Sequence, residues 1–184
     1  MALIVFVALA VFALMDGGGG DGETSVGPSA VGEVSVDGPA RPGEPFAVGE
    51  AVPGFSGPAI DGGTVRWTDF EGPTVLSVWA PWCPHCQVEL PLLGRVMQDF
   101  PEIEFVTVVT SIGTNPGPDA GEFLRENGIT APTLIDDENG TAAAALGIRG
   151  FPTLYLVDGE GLVAYMGEGE VGEDELRSLL STLG

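Results

Sequence analysis

The chain has 184 residues and a formal net charge of −21, from 27 acids against six arginines, with no lysine and one histidine. That balance makes nucleic acid and anionic membrane surfaces poor partners. The length suits one domain of about 130 residues behind an N-terminal extension, enough to bury a core. Its two cysteines stand two residues apart, which marks a catalytic pair rather than a stapled scaffold.

Residues 1–15 hold an uninterrupted apolar run from Ala2 to Met15. As a helix it would span about 21 Å, short of the hydrocarbon core of about 30 Å. It reads as a signal or anchor segment, and the missing basic residues before it suggest a start further upstream. The acids just after it fit export of the downstream chain. Residues 16–48 are rich in Gly, Pro, Ser and acids without periodicity, and read as a flexible linker.

The folded domain is expected over 49–184. Val52 to Phe55 and Ala59 to Trp67 read as a hairpin around a Gly-rich turn. Val75 to Trp79 is an apolar, β-branched run, the mark of a buried strand, broken at Pro81. Helical spacing resumes at Val88 and runs to about Asp99, with Val88, Leu92, Val96 and Met97 on one face and Pro91 inside. Ile103 to Thr110 reads as a strand buried on both sides. Next come a helix over about 118–127 ended by Gly128, a short strand at 132–136 and a helix at 141–146. Thr153 to Asp158 and Leu162 to Met166 form a second hairpin. Gly172 to Leu183 closes the chain as an amphipathic helix. This order gives an α/β fold with a mixed central sheet flanked by helices.

Trp82-Cys83-Pro84-His85-Cys86 sits on the strand-to-helix turn. A C-x-x-C turn there can close as a disulfide. When it is reduced, the helix N-terminus favours a Cys83 thiolate, the attacking form of sulfur. Two cysteines and one histidine inside the same turn cannot supply the four ligands of a structural zinc site.

On that motif, on Pro91 in the helix after it, and on Phe151-Pro152-Thr153, the sequence resembles the thioredoxin superfamily. The likeness is to its membrane-anchored, extracytoplasmic TlpA/ResA type and covers about residues 48–183. The resemblance implies a thioredoxin-like fold with an N-terminal β-hairpin and a central α/β insertion at Pro132 to Leu146. It implies a Cys83–Cys86 disulfide, with Cys83 the exposed nucleophile and Cys86 the buried sulfur that resolves the mixed disulfide. His85 would lend positive or dipolar character to the Cys83 sulfur. Thioredoxin's buried aspartate is replaced here by Ser77, so the base that takes the Cys86 proton would be Glu89, one helical turn beyond Cys86. Trp82, Pro84, Phe151 and a cis Pro152 would form the substrate-binding surface, with the Phe151 backbone pairing with an extended peptide.

The activity implied is thiol–disulfide exchange with protein cysteines outside the cytoplasm, by a monomer that needs no cofactor or metal. The membrane would be reached through the N-terminal segment, and a transmembrane thiol carrier would exchange electrons with the site. TlpA/ResA likeness favours a reductant, for cytochrome c maturation or thiol maintenance; the Pro84-His85 dipeptide resembles DsbA-type oxidases and favours disulfide formation. A peroxiredoxin-like thiol peroxidase would need Pro and Thr or Ser seven and three residues before Cys83, where Leu76 and Ala80 stand. A copper-binding module of this fold would need C-x-x-x-C and a distant histidine, both missing.

Overall fold

The computed structural model describes residues 33–183. The segment 1–15 and residues 16–32 of the linker lie outside the described residues. The fold is built on strand β4 (Thr74–Trp79), all six of whose residues are buried. Parallel β5 (Glu104–Val109) and antiparallel β7 (Thr153–Val157) flank it; β6 (Thr133–Ile135) and β8 (Val163–Glu168) complete a five-stranded sheet in the order β6-β5-β4-β7-β8. The register sets Ser77 opposite Thr107 on one side and Leu154 on the other. Both strands are buried on both faces, which is why neither alternates, and the buried polar residues within them, Thr74, Ser77 and Thr107, carry only small hydroxyls.

Alternate residues of β4 then serve two cores. Val75 and Trp79 pack toward α1 (Pro84–Val96), α2 (Ala120–Glu126) and α4 (Glu173–Leu180), through Leu90, Leu93, Leu124, Leu176 and Leu180. Leu76 and Val78 face the opposite layer, where Ala142 of α3 (Thr141–Ala145) meets a small antiparallel sheet. That sheet has the order β1-β2-β3, from Ser35–Val36, Phe55–Pro58 and Thr64–Arg66. The mixed sheet, the N-terminal hairpin (β2 and β3) and the central insertion (β6 and α3) are all present.

Two expectations need correction. The flexible linker does not reach residue 48: Val34 and Phe46 are buried, and β1 pairs with β2. Tyr155 anchors this strap, its hydroxyl donating to the Leu146 carbonyl at 2.8 Å and accepting from Phe46 N–H at 3.3 Å. Arg41 lies 4.4 Å from the Phe46 ring centroid, a cation–π contact that covers the strap from outside. The other correction concerns α1. Its buried face is Cys86, Glu89, Leu90, Leu93, Gly94 and Val96, while Val88 is 57% exposed. Of the expected stripe Val96 is buried and Leu92 and Met97 pack against the core, but Val88 faces solvent while the polar Glu89 beside it enters the core.

Candidate active site

Cys83 is the N-cap of α1, followed by Pro84 in the first helical turn, where a missing N–H costs nothing. The first-turn N–H groups have no partner inside the helix and make this end favourable to a negative sulfur. Gln87 buttresses the turn, its side-chain amide donating to the Pro81 carbonyl at 2.8 Å. Cys83 and Cys86 are not bonded to each other in the structure.

Cys83 departs from expectation in being only 5% exposed. The Phe151–Pro152 peptide bond is cis, and the Phe151 carbonyl accepts from the Cys83 thiol at 3.5 Å. Trp82 packs edge-on against Phe151, ring centroids 5.9 Å apart, and its indole N–H donates to the Ser111 carbonyl at 3.1 Å. A sulfur between the first helical turn and this segment is left with a narrow opening. Cys86 is fully buried, and burial pushes its thiol well above the ordinary range; the Ala80 backbone works against that rise, while Cys83 and Glu89 add to it.

Glu89 is 2% exposed. Its Oε2 accepts from Val171 N–H at 3.1 Å, and its Oε1 has no hydrogen-bond partner. Burial pushes its pKa from 4.5 up to about 7; the Val171 bond opposes the rise and the nearby Glu170 carboxylate adds to it. A group of that kind can take and return a proton near neutrality. Ser77, at the position of thioredoxin's aspartate, is fully buried with its hydroxyl unpartnered.

His85 is on the surface, 67% exposed at its side chain, with Nδ1 2.7 Å from Glu170 Oε1. The structure thus gathers Trp82, Cys83, Pro84, Cys86, Phe151 and Pro152 at the turn. Glu89 lies under the β8–α4 loop and His85 at its rim. Sequence reasoning missed Glu170 and Val171, which touch His85 and Glu89. Both partners lie more than 80 residues from the residues they meet, and one acid among many in a chain of this charge gives no local signal.

Beside the turn, Pro81 and residues 112–119 line an open cleft of about 470 Å³. Gly117 is pressed against the Trp82 backbone, where an added Cβ would sit 2.8 Å from Trp82 N and Cα. Among the described residues no group of three or more His, Cys, Asp or Glu could hold a metal ion.

Comparison with known proteins puts this geometry in context. The AhpC/TSA family matches residues 48–166. The thiol:disulfide interchange protein DsbE of Haemophilus influenzae is 32% identical over 101 residues, 55% of this chain and 53% of that one. The chain thus spans about half the length of that relative. DsbE of Pseudomonas aeruginosa is 31% identical over 142 residues, 74% of each chain, and the thiol-disulfide oxidoreductase ResA of Geobacillus thermodenitrificans is 26% identical over 138 residues, covering 74% of this chain and 78% of that one. Among solved structures, that of MTB DsbF in its mixed oxidized and reduced forms superposes with a TM-score of 0.62 at 32% identity, covering 71% of this chain and 95% of that one. With its thioredoxin-like fold and the match over most of its folded part, the chain belongs to the AhpC/TSA family.

Proposed function

We propose that the protein is a thiol–disulfide oxidoreductase that exchanges disulfides with protein cysteines, working as a reductant outside the cytoplasm. The observation that carries this reading is the Cys83 sulfur at a helix N-cap, facing the cis-Pro152 segment, above a buried Cys86 and a buried Glu89. The Cys83 thiolate attacks a substrate disulfide, forming a mixed disulfide and releasing one substrate thiolate. Glu89 takes the Cys86 proton. The Cys86 thiolate then attacks the Cys83 sulfur, closing the Cys83–Cys86 disulfide and releasing the second substrate sulfur, so two electrons pass from protein to substrate. Burial chiefly holds the proton on Cys86, and an ionised Glu89 adds a little to that rise.

Trp82, Pro84, Phe151 and Pro152 form the docking surface in this reading, with the Phe151 backbone meeting an extended substrate segment. A transmembrane thiol carrier returns the protein to its dithiol form. The N-terminal segment tethers or exports a monomeric domain; among the described residues no helix is long and apolar enough to cross a membrane. The relatives named for thiol:disulfide interchange and thiol-disulfide oxidoreduction support the chemistry, and the reductant direction rests on the resemblance to the TlpA/ResA type. A second reading, a disulfide-forming oxidase, is favoured by His85 inside the Cys-Pro-His-Cys turn. Thiol peroxidase chemistry is disfavoured, since Leu76 and Ala80 stand where that pattern needs a proline and a Thr or Ser hydroxyl.

The test is turnover of a protein disulfide such as insulin with dithiothreitol as electron source. The native chain should accelerate reduction, and Cys86→Ser should accumulate a covalent mixed disulfide through Cys83. Native protein without acceleration and a variant without adduct would refute the reading.

A further inference from the structure

The Gly169–Val171 loop after β8 touches the site three times. Gly169 N–H donates to the Pro152 carbonyl at 2.8 Å, the Glu170 carboxylate holds His85 Nδ1 at 2.7 Å, and Val171 N–H donates to Glu89 Oε2 at 3.1 Å. Two contacts are backbone and insensitive to side-chain identity. The third belongs to Glu170 alone. We propose that Glu170 is a positioning residue that holds the His85 imidazole at the rim and shares its positive character, so that the Cys-Pro-His-Cys pair is less oxidising than its dipeptide alone would make it. The inference rests on the oxidoreductase reading and addresses its direction.

The chemistry follows from which state of the cysteines a cation assists. The thiolate belongs to the dithiol form, so positive character near Cys83 stabilises the reduced protein and makes its disulfide a stronger oxidant. A carboxylate hydrogen-bonded to that imidazole offsets part of its field at the sulfur. It also orients the ring, since Nδ1 is engaged and only Nε2 remains to meet an approaching group. Among the described residues no arginine pairs with Glu170: Arg95 pairs with Glu173, and Arg177 with Asp99 and Glu173. The titratable group shown to feel Glu170 is Glu89 on α1, which in turn acts on Cys86 and on Tyr165 of β8. Glu173 is already engaged by two arginines and does not substitute for Glu170 at the imidazole.

The two partners are partly solvated, so the effect is modest. Glu170→Gln in the full chain should raise the equilibrium constant for reduction of the Cys83–Cys86 disulfide by glutathione about threefold. That is about 14 mV toward oxidant at 29.6 mV per tenfold. In a His85→Ala background the same substitution should have a much smaller effect, and 1 M salt should shrink the native-background shift. A double-mutant cycle of this form isolates the pair. An equal shift in both backgrounds, no shift in the native background, or a shift toward reductant overturns the proposal. If instead the native chain shows no reversible two-electron transition, the oxidoreductase reading itself fails, which is a distinguishable result.

Discussion

Replacing Glu89 by Gln is expected to make the protein slower and more stable at once. The native carboxyl is 2% exposed, with one oxygen unpartnered and a pKa pushed from 4.5 up to about 7, chiefly by burial. Its folded pKa exceeds its unfolded one, so the folded state binds the proton more tightly. Stability is therefore unaffected by this group well below pH 4.5 and is lost as pH rises toward 7. Ionising the buried group at 1.36 kcal/mol per pH unit costs about 3 kcal/mol at pH 8 but only about 1 kcal/mol at pH 5. The amide is not charged at any pH and can still accept from Val171 through its oxygen. Glu89→Gln should therefore gain stability over the native dithiol protein, with the gain growing by about 2 kcal/mol between pH 5 and pH 8. Urea unfolding under reducing conditions at both values, at equal m, measures it. Resolution of a Cys83 mixed disulfide should slow on the order of 10²-fold, the usual scale for a lost general base. A stability difference that is the same at both pH values would refute the reasoning, since Glu89 would then be ionised throughout or never.

Other expectations concern single contacts. Cys83→Ser should abolish insulin reduction and form no adduct, measured by turnover and by mass under non-reducing conditions. Gly117→Ala places a Cβ 2.8 Å from the Trp82 backbone. It should cost about 1–3 kcal/mol of stability, read from the urea midpoint, because backbone cannot yield as a flexible side chain does. Tyr155→Phe removes a buried hydroxyl that serves both the Leu146 carbonyl and the Phe46 N–H. A loss of about 1–3 kcal/mol is expected, with faster amide exchange near Phe46. No change in exchange there would mean that the strap over residues 41–47 holds without Tyr155.

How much of the molecule was legible in the sequence depends on the range of each interaction. The C-x-x-C turn and the buried β4 and β5 runs are local patterns, and each is where its pattern implied, whereas Glu89 one turn beyond Cys86 stood out only through the family resemblance. Phe151-Pro152 was legible as a motif, though its approach to Cys83 is a contact across 68 residues. β1 was hidden because a two-residue strand in a Gly, Pro and acid-rich segment has no periodicity, and only its partner in β2 makes it a strand. Phe46 and Arg41 were read as linker for the same reason. The α1 stripe misled through Val88, an apolar residue that faces solvent, opposite a carboxylate that faces the core. Cys83 looked exposed because its cover is supplied by the remote cis-proline segment.

The measurement that tests the central claim most directly is a redox titration of the full chain against a glutathione or dithiothreitol series, following the Cys83–Cys86 pair. A reductant of this kind should show one reversible two-electron transition near −270 mV or lower, the range of thioredoxin-like reductants, and should lose it in Cys86→Ser. A transition near −120 mV would reverse the direction of electron flow in favour of the oxidase. No reversible transition at all would contradict the claim that these two cysteines are a working redox pair.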